Sequence, residues 1–274
     1  MQEAVQQAIA SMRDRYFEPI TLKDLASEVF VSPFHFCRVF SRATGVTPGR
    51  YLTAVRLFEA KRLLLTTSQT VSDIVCSVGY SSIGTFTTRF TRAVGMTPTQ
   101  YRDPEVGKLL MATAPHFWRL PSPEVLYGAV ASGACHDDGW IAVRIEMPLG
   151  CTPGNILVGA FDEPIPQRGP AAFEVMPGTS STQVKLGVPS GRCTVIAAAE
   201  QVGEGVSPAS FLFGAARQQV AITRGHTVPV TVQMRSLQPT DPPIAITLAS
   251  PPTRFLASRA ASGVTDVRHL RPAA

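Results

Sequence analysis

The sequence lacks most of the features that assign a chain to a membrane, secreted or catalytic class. It contains no run of about eighteen apolar residues that could cross a membrane, and its N-terminus has no basic segment followed by an apolar one that would indicate secretion. A Gly-x-Ser-x-Gly motif, a His-Glu-x-x-His motif and a phosphate-binding glycine loop are also absent. These absences predict a soluble, cytoplasmic protein that needs no membrane, is not an enzyme and holds no cofactor.

The five cysteines are odd in number and lack the paired spacing of metal sites. Residues 135–138, Cys-His-Asp-Asp, are the one cluster with metal-ligand chemistry, but adjacent side chains point apart and no second ligand cluster follows. We therefore expect no metal site and a reduced, cytosolic setting. A catalytic thiolate needs basic neighbours, and Cys135, Cys151 and Cys193 have few, so a DNA-repair methyltransferase is the least favoured class.

The basic residues are distributed unevenly along the chain. Residues 1–102 hold 12 Lys and Arg against 7 Asp and Glu, whereas the other 172 residues hold 13 of each sign. The whole net charge of +5 therefore belongs to the first part. This distribution is expected if that part alone binds a polyanion, although a solvated basic surface without a partner would give the same count.

The most informative feature is a segment that occurs twice, fifty residues apart. Nine positions are identical in the two copies: Phe36/Phe86, Phe40/Phe90, Arg42/Arg92, Ala43/Ala93, Gly45/Gly95, Thr47/Thr97, Pro48/Pro98, Tyr51/Tyr101 and, in the preceding turn, Ser32/Ser82. A repeated unit indicates a repeated physical task.

Residues 1–102 show helical patterns throughout. Apolar residues at Val5, Ile9, Met12 and Tyr16 keep a spacing near 3.6 and predict one buried stripe on a first helix. Residues 49–65 predict a second, long helix between the two copies. At about 1.5 Å per residue it would be roughly 25 Å long and would hold the copies at a fixed separation.

Each copy has the layout of a helix-turn-helix, in which a first helix braces a second one whose exposed face enters the major groove. In the first copy, Phe36, Val39, Phe40 and Ala43 form the predicted buried stripe. The opposite, exposed face offers Phe34, His35, Cys37, Arg38, Ser41 and Arg42. In the second copy the exposed set is Ser82, Gly84, Thr85, Thr88, Arg89 and Arg92.

Residues 20–102 resemble the DNA-binding domain of the AraC/XylS family. The segment that carries the resemblance contains Gly79-Tyr80-Ser81, Phe86, Arg89-Phe90, Gly95-Met96-Thr97-Pro98 and Tyr101-Arg102. The resemblance implies a domain of seven helices, with two helix-turn-helix units and a connecting helix. It also implies base-edge contacts from Phe34, Cys37 and Arg38 in the first unit and from Gly84, Thr85 and Thr88 in the second.

The exposed residues are expected to divide between bases and phosphates. Arg38 has the chemistry to pair bidentately with a guanine, and Arg42 and Arg92 are expected at phosphates, since most protein–DNA hydrogen bonds go to the backbone. His35 is expected at the rim, and Phe34 either packs on a thymine methyl or caps the core. The family often has arginine at the position of Thr88, so the second unit is expected to read few bases and mainly to hold the backbone.

The second half predicts a different architecture. Residues 103–123 mix prolines with apolar patches and predict a linker or docking segment. Short β-rich runs then alternate with Gly/Pro turns and predict an antiparallel β-sandwich over residues 124–252, followed by a tail at 253–274. The predicted strands are 126–131, 140–147, 155–161, 172–176, 183–188, 193–199, 211–216 and 227–234, with an edge strand at 244–248. Asp162 and Glu163, followed by Pro164, predict a turn rather than a catalytic pair.

The role of this half stays open at the level of sequence. Segments 156–166 and 189–199 are similar to transthyretin- or prealbumin-like sandwich domains, and that likeness says little about a ligand. The half is either a sensor for a small-molecule effector or a dimerisation or protein-interaction module. AraC/XylS regulators usually place the DNA-binding domain last, whereas here it comes first.

The sequence as a whole predicts an all-α DNA-binding domain at residues 1–102 joined to a β-sandwich. The function that follows is that of a bacterial transcription regulator bound to double-stranded DNA. Its two reading helices would enter successive major grooves roughly 34 Å apart. RNA polymerase and a second copy of the chain are the further partners that this reading allows.

Overall fold

The computed structural model describes residues 2–114, 117–131, 138–178, 183–201 and 211–248. Its helices are α1 (Gln2–Asp14), α2 (Leu22–Glu28), α3 (Pro33–Thr44), α4 (Pro48–Thr66), α5 (Val71–Ser77), α6 (Ile83–Val94), α7 (Pro98–Tyr101), α8 (Pro104–Lys108) and α9 (Pro123–Ala131). Its strands are β1 (Leu110–Ala114), β2 (Phe117–Arg119), β3 (Gly139–Glu146), β4 (Pro153–Phe161), β5 (Ala172–Pro177), β6 (Gln183–Val188), β7 (Gly191–Gln201), β8 (Phe211–Ala215), β9 (Val220–Ile222), β10 (Thr227–Gln233), β11 (Arg235–Ser236) and β12 (Ile244–Thr247). Cys135, His136, Asp137 and the expected tail lie outside the described residues.

The helical part follows local signals that its sequence carries twice. Thr21 and Thr70 each accept a 3.2 Å hydrogen bond from the backbone N–H three residues later, which caps α2 and α5. Gly45 and Gly95 end α3 and α6 at φ of +77° and +87°, a conformation that glycine adopts without steric cost. The predicted long helix is confirmed as α4, with 19 residues.

Two details of the helical part differ from expectation. Helix α1 ends at Asp14, so Tyr16 lies beyond it, half-buried between two apolar clusters. Ala43 was expected in the buried stripe of α3 but is exposed. Its counterpart Ala93 is half-buried because a loop of the β part lies beside it.

Residues 126–131, predicted as a strand, belong instead to helix α9. The helix begins at Pro123, and the carbonyl of Ser122 accepts a 3.0 Å hydrogen bond from the N–H of Leu126. Ser122, Pro123 and Glu124 form the cap, proline and acidic first turn that start a helix. A serine followed by a proline also starts α3, so the local signal outweighs the apolar run that suggested a strand.

The segment 103–123, expected as a linker or docking segment, is folded into the body of the protein. It contains α8, β1 and β2, and all five residues of β1 are buried. Strand β1 pairs with β12, from Leu110 opposite Thr247 to Thr113 opposite Ile244. The predicted edge strand at 244–248 therefore has a partner more than 130 residues earlier in the chain.

The remaining strands form two sheets that pack face to face. One has the order β10-β3-β6, and the other has the order β11-β8-β7-β4-β5, with β9 also on β7. Ile141 and Val143 of β3 share one buried cluster with Val158 of β4 and Val195 of β7. This arrangement is an α-then-β fold, as the sequence predicts.

The sandwich is not wholly antiparallel, because β10 runs parallel to β3. The turn before β10 is fixed beside the start of β3, where Gly225 N–H donates to the Asp138 carbonyl and Trp140 N–H donates to the His226 carbonyl. Both strands therefore start at the same end of the sheet.

The larger sheet is buried on both of its faces. Leu157, Ile196 and Phe211 point away from the sandwich and join the cluster that contains Val5 of α1 and Val55 of α4. Strands β4 and β7 are consequently buried in continuous runs rather than alternately. Within the described ranges, no helix has the length and apolar character needed to cross a membrane.

Candidate nucleic-acid interface

The two reading helices, α3 and α6, are held on equivalent aromatic contacts. In the first unit the ring centroids of Phe36 and Phe40 are 5.5 Å apart, and those of Phe40 and Tyr51 are also 5.5 Å apart. In the second unit the corresponding distances are 5.4 Å for Phe86–Phe90 and 5.6 Å for Phe90–Tyr101. All six rings are buried. The identical aromatic residues of the repeat thus hold α3 in a fixed orientation against α4, and α6 in the equivalent orientation against α7.

The first reading helix directs Phe34, Arg38 and Arg42 into solvent. Phe34 is 80% exposed, which excludes its alternative role as a cap on the core. His35 and Cys37 are half-buried and lie on the flanks of the same surface. The helix begins where Ser32 Oγ accepts a 3.3 Å hydrogen bond from the His35 N–H.

The second reading helix exposes all of its predicted contact residues. They are Ser82, Gly84, Thr85, Thr88, Arg89 and Arg92. The hydroxyl of Ser82 accepts a 3.3 Å hydrogen bond from the Thr85 N–H, so it caps the helix as well as facing solvent. Gly84 has open space around its α-carbon, since an added β-carbon would meet only Ser82 Oγ, at 4.0 Å.

The candidate arginines are not engaged elsewhere in the described part of the chain. The side chains of Arg38, Arg42, Arg89 and Arg92 form no hydrogen bond or ion pair there. By contrast, Arg15, just beyond the end of α1, binds the carboxylates of Glu18 and Glu28, at 2.8 and 2.6 Å. Four free guanidinium groups on two exposed helix faces are suited to a polyanion.

Two residues of this surface were missed by the sequence reasoning. Phe30, in the turn before α3, is 95% exposed and has a φ of +55°. Phe30 is the second residue after α2, as Gly79, with a φ of +77°, is the second residue after α5, and this correspondence was the available signal. Arg50, at the start of α4, is exposed and lines a cleft together with Arg89 and Arg92. No local pattern could have indicated that proximity.

The β part contacts the second unit directly. Arg168, in the loop between β4 and β5, donates hydrogen bonds from Nη2 to the carbonyl oxygen of Arg92 and from Nε, at 3.2 Å, to that of Ala93. These carbonyls belong to the last turn of α6, where unpaired acceptors and the helix dipole favour a cation. The C-terminal end of the second reading helix is therefore capped by the β part.

A helix-turn-helix domain model matches residues 25–104. A transcriptional regulator of Mycobacterium tuberculosis, Rv1931c, is 42% identical over 79 residues, which cover 29% of this chain and 30% of that protein. The lactose operon transcription activator of Staphylococcus xylosus is 33% identical over 100 residues, covering 36% of each protein. The bifunctional transcriptional activator/DNA repair enzyme AdaA of Bacillus subtilis is 34% identical over 88 residues, covering 32% of this chain and 42% of that protein.

Among solved structures, the chain is similar to the DNA-binding domain of AdpA in complex with a target DNA. The identity is 26% and the TM-score 0.36, over 38% of this chain and 94% of that one. The chain spans well under half the length of the three curated relatives named above.

Proposed function

We propose that this chain, whose residues 25–104 form a DNA-binding domain of the AraC/XylS type, is a sequence-specific transcription regulator. The observation that carries the proposal is the pair of equivalent reading helices, each with an exposed polar face, joined by the single helix α4. The free arginines on both faces and the net charge of +5 in residues 1–102 support a polyanionic partner.

Each unit would enter one major groove. In the first, Phe34, Cys37 and Arg38 would meet base edges, with Arg38 bidentate to a guanine, while His35 and Arg42 would lie at the backbone. In the second, Gly84, Thr85 and Thr88 would lie closest to the bases, and Ser82, Arg89 and Arg92 would hold phosphates. Because the exposed faces differ, each subunit would recognise an asymmetric site.

Footprinting tests this geometry. The full chain, bound to a site obtained by selection from random duplexes, should protect two segments on one face of the DNA. Their centres should be about 10 to 10.5 base pairs apart, which is one helical turn. Protection confined to a single groove would contradict the proposal.

For the β part we propose a role in modulating the DNA-binding part, either by sensing a small-molecule effector or by mediating dimerisation. The contact of Arg168 with α6 supports this role, since a change in the β4–β5 loop would reach the second reading helix. Sedimentation of the full chain with and without its DNA site distinguishes the two. A dimer on DNA supports a role in dimerisation. A chain that stays monomeric on DNA excludes that role and favours a sensor of a small-molecule effector. Recruitment of RNA polymerase or another protein partner is the alternative if neither is found.

We also propose that the chain acts in the bacterial cytoplasm without enzymatic activity. Because the relative AdaA is a bifunctional transcriptional activator and DNA repair enzyme, the reactivity of the cysteine thiols in this chain bears on whether it could be an enzyme. Burial and the nearby charge of Asp162 raise the pKa of the Cys193 thiol to about 11, which disfavours the thiolate that a methyl transfer would need. A methyl-transfer assay on alkylated DNA should show no transfer to the protein.

A further inference from the structure

A cleft of about 660 Å³ separates the second reading unit from the β part. One wall is basic and consists of Arg50 from α4 with Arg89 and Arg92 from α6. The opposite wall is the loop that follows β4, which contributes Asp162, Glu163 and Arg168. The Arg168 guanidinium is engaged with backbone carbonyl oxygens at the end of α6, whereas the two carboxylates are not paired within the described residues. We call this space the arginine cleft.

The charges of the two walls face each other but do not pair. In the described ranges, none of the other five side chains forms an ion pair or a hydrogen bond. Glu163 and Arg50 also line an adjoining hollow of about 270 Å³, so the opposite charges are close without being in contact. Three guanidinium groups are left available to an external anion.

The acidic loop is held in this position by two adjacent residues. Arg168 binds the carbonyl oxygens at the end of α6. The buried ammonium of Lys61 donates to the backbone carbonyl and the side-chain oxygen of Gln167, at 3.0 and 2.9 Å. Both anchors join the loop to the helices that carry the basic wall. The carboxylates are therefore kept beside α6 by the fold itself.

The cleft adjoins the reading face of α6. Arg92 follows Thr88 by four residues and Thr85 by seven, which places all three on one side of the helix. Arg89 lies on the flank between that side and the β part. A duplex that meets Thr85 and Thr88 would bring its backbone to the mouth of the arginine cleft.

We propose that the DNA backbone enters the arginine cleft, so that Arg50 is a further phosphate-contacting residue and the β part weakens binding through Asp162 and Glu163. This inference rests on the proposed DNA-binding function. Phosphates at the basic wall would share the cleft with the carboxylates, and salt screens charges across so small a space only partly, since the Debye length is about 8 Å at physiological salt. The affinity of the second helix-turn-helix unit for DNA then depends on the β part as well as on the helical part.

The test uses the full chain and four variants that each change one charge. Arg50→Gln and Glu163→Gln alter the cleft, and Arg144→Gln and Glu146→Gln, on exposed positions of β3, make the same charge changes elsewhere. Dissociation constants are measured for the selected site and for a random duplex at several salt concentrations.

Arg50→Gln should weaken binding to both duplexes by about three- to tenfold near 0.1 M salt and reduce the salt slope by about one. Glu163→Gln should strengthen binding to both by about two- to fivefold at low salt, with the gain shrinking as salt rises. If each cleft variant matches its control on β3, the inference is overturned while DNA binding stands. If the wild-type chain binds neither duplex, the proposed function itself fails.

Discussion

The ammonium group of Lys61, in the C-terminal half of α4, donates a 2.7 Å hydrogen bond to the carbonyl oxygen of Ala245 on β12. Lys61 is fully buried, and its other two hydrogen bonds also go to uncharged oxygens, both of Gln167. No carboxylate balances its charge in the described part of the chain. The two halves of the protein are thus joined through a buried cation whose cost of desolvation is offset by these hydrogen bonds and by the Tyr101 ring, whose centroid lies 6.0 Å from the ammonium, without an ion pair.

Replacing Lys61 with Met should flatten the dependence of stability on pH between about pH 7 and pH 9. Burial lowers the pKa of Lys61 from 10.5 to about 7. In this window the unfolded chain keeps the proton that the folded chain releases, so the free energy of unfolding rises with pH, by at most about 1.4 kcal/mol per unit. Below pH 7 both states are protonated and the contribution of Lys61 is constant.

Urea unfolding near pH 7 and near pH 9 measures this difference. Lys23→Met is the control, since Lys23 is an exposed lysine on α2 and the substitution makes the same chemical change at the surface. Equal pH dependence in the wild type and in Lys61→Met would show that Lys61 stays charged inside the folded protein.

The turn before α3 predicts an unusual stabilising substitution. Phe30 has a left-handed backbone that costs an L-residue about 1–2 kcal/mol, and its side chain is so exposed that its removal sacrifices little buried surface. Phe30→Gly should therefore raise the free energy of unfolding by about 0.5–1 kcal/mol, the gain being reduced by the extra freedom of glycine in the unfolded chain.

Gly79→Ala is the reciprocal change in the second unit. An added β-carbon at Gly79 would lie 2.8 Å from the carbonyl oxygens of both Tyr16 and Phe17, and the left-handed backbone adds strain. It should lower stability by about 2 kcal/mol or more. Thermal unfolding of both variants checks the pair, and a loss of stability in Phe30→Gly would indicate that Phe30 has a contact that offsets its strain.

Gly84 allows stability and DNA binding to be separated. Gly84→Ala should stabilise the free protein by about 0.5–1 kcal/mol, because alanine favours the helix and its β-carbon meets open space. If the backbone of α6 approaches a base edge at Gly84, the same methyl group should weaken binding to the selected DNA site. Calorimetry gives the first effect and a binding titration the second. Unchanged affinity would place Gly84 away from the DNA.

Local structure was predictable here, and long-range proximity was not. The caps at Thr21 and Thr70 and the glycines at Gly45 and Gly95 fix helix ends through contacts within a few residues, so the sequence alone indicates α2, α3, α5 and α6. Most strands of the sandwich were likewise indicated by a local signal, the short β-rich runs between Gly/Pro turns. The pairing of β1 with β12 depends on residues far apart in the chain. It could not be predicted because β1 lies in the proline-containing segment 103–123, which has no local strand signal. Arg50 was missed because its proximity to α6 likewise involves residues far apart in the chain.

Arg38 and Arg42 should respond differently to replacement with Ala. Arg38→Ala should weaken binding to the selected site by about 1–3 kcal/mol and relax the preference at one base position. Arg42→Ala should weaken binding to all duplexes alike and reduce the salt slope by about one. Titrations on the selected site, on single-base variants of it and on a random duplex distinguish them. Equal losses on every duplex would make Arg38 a phosphate contact as well.

Tyr51 and Tyr101 occupy the same position in the two copies and pack alike, yet their hydroxyl groups differ. Tyr51 donates a 3.0 Å hydrogen bond to the carbonyl oxygen of Asp241 in the β part and accepts one of 3.0 Å from Arg13. The Tyr101 hydroxyl is buried without a hydrogen-bond partner among the described residues. A buried hydroxyl left unpaired costs about 1–3 kcal/mol.

Tyr51→Phe should therefore lower the free energy of unfolding by about 1–2 kcal/mol, whereas Tyr101→Phe should leave it unchanged or raise it slightly. Each variant is the control for the other, since both remove one oxygen from a ring that contacts an equivalent phenylalanine. Urea unfolding at neutral pH measures both. A loss in Tyr101→Phe as large as that in Tyr51→Phe would mean that the Tyr101 hydroxyl has a partner in the folded protein. The difference between the two would otherwise measure the combined contribution of the hydrogen bonds that the Tyr51 hydroxyl forms with Arg13 and with Asp241.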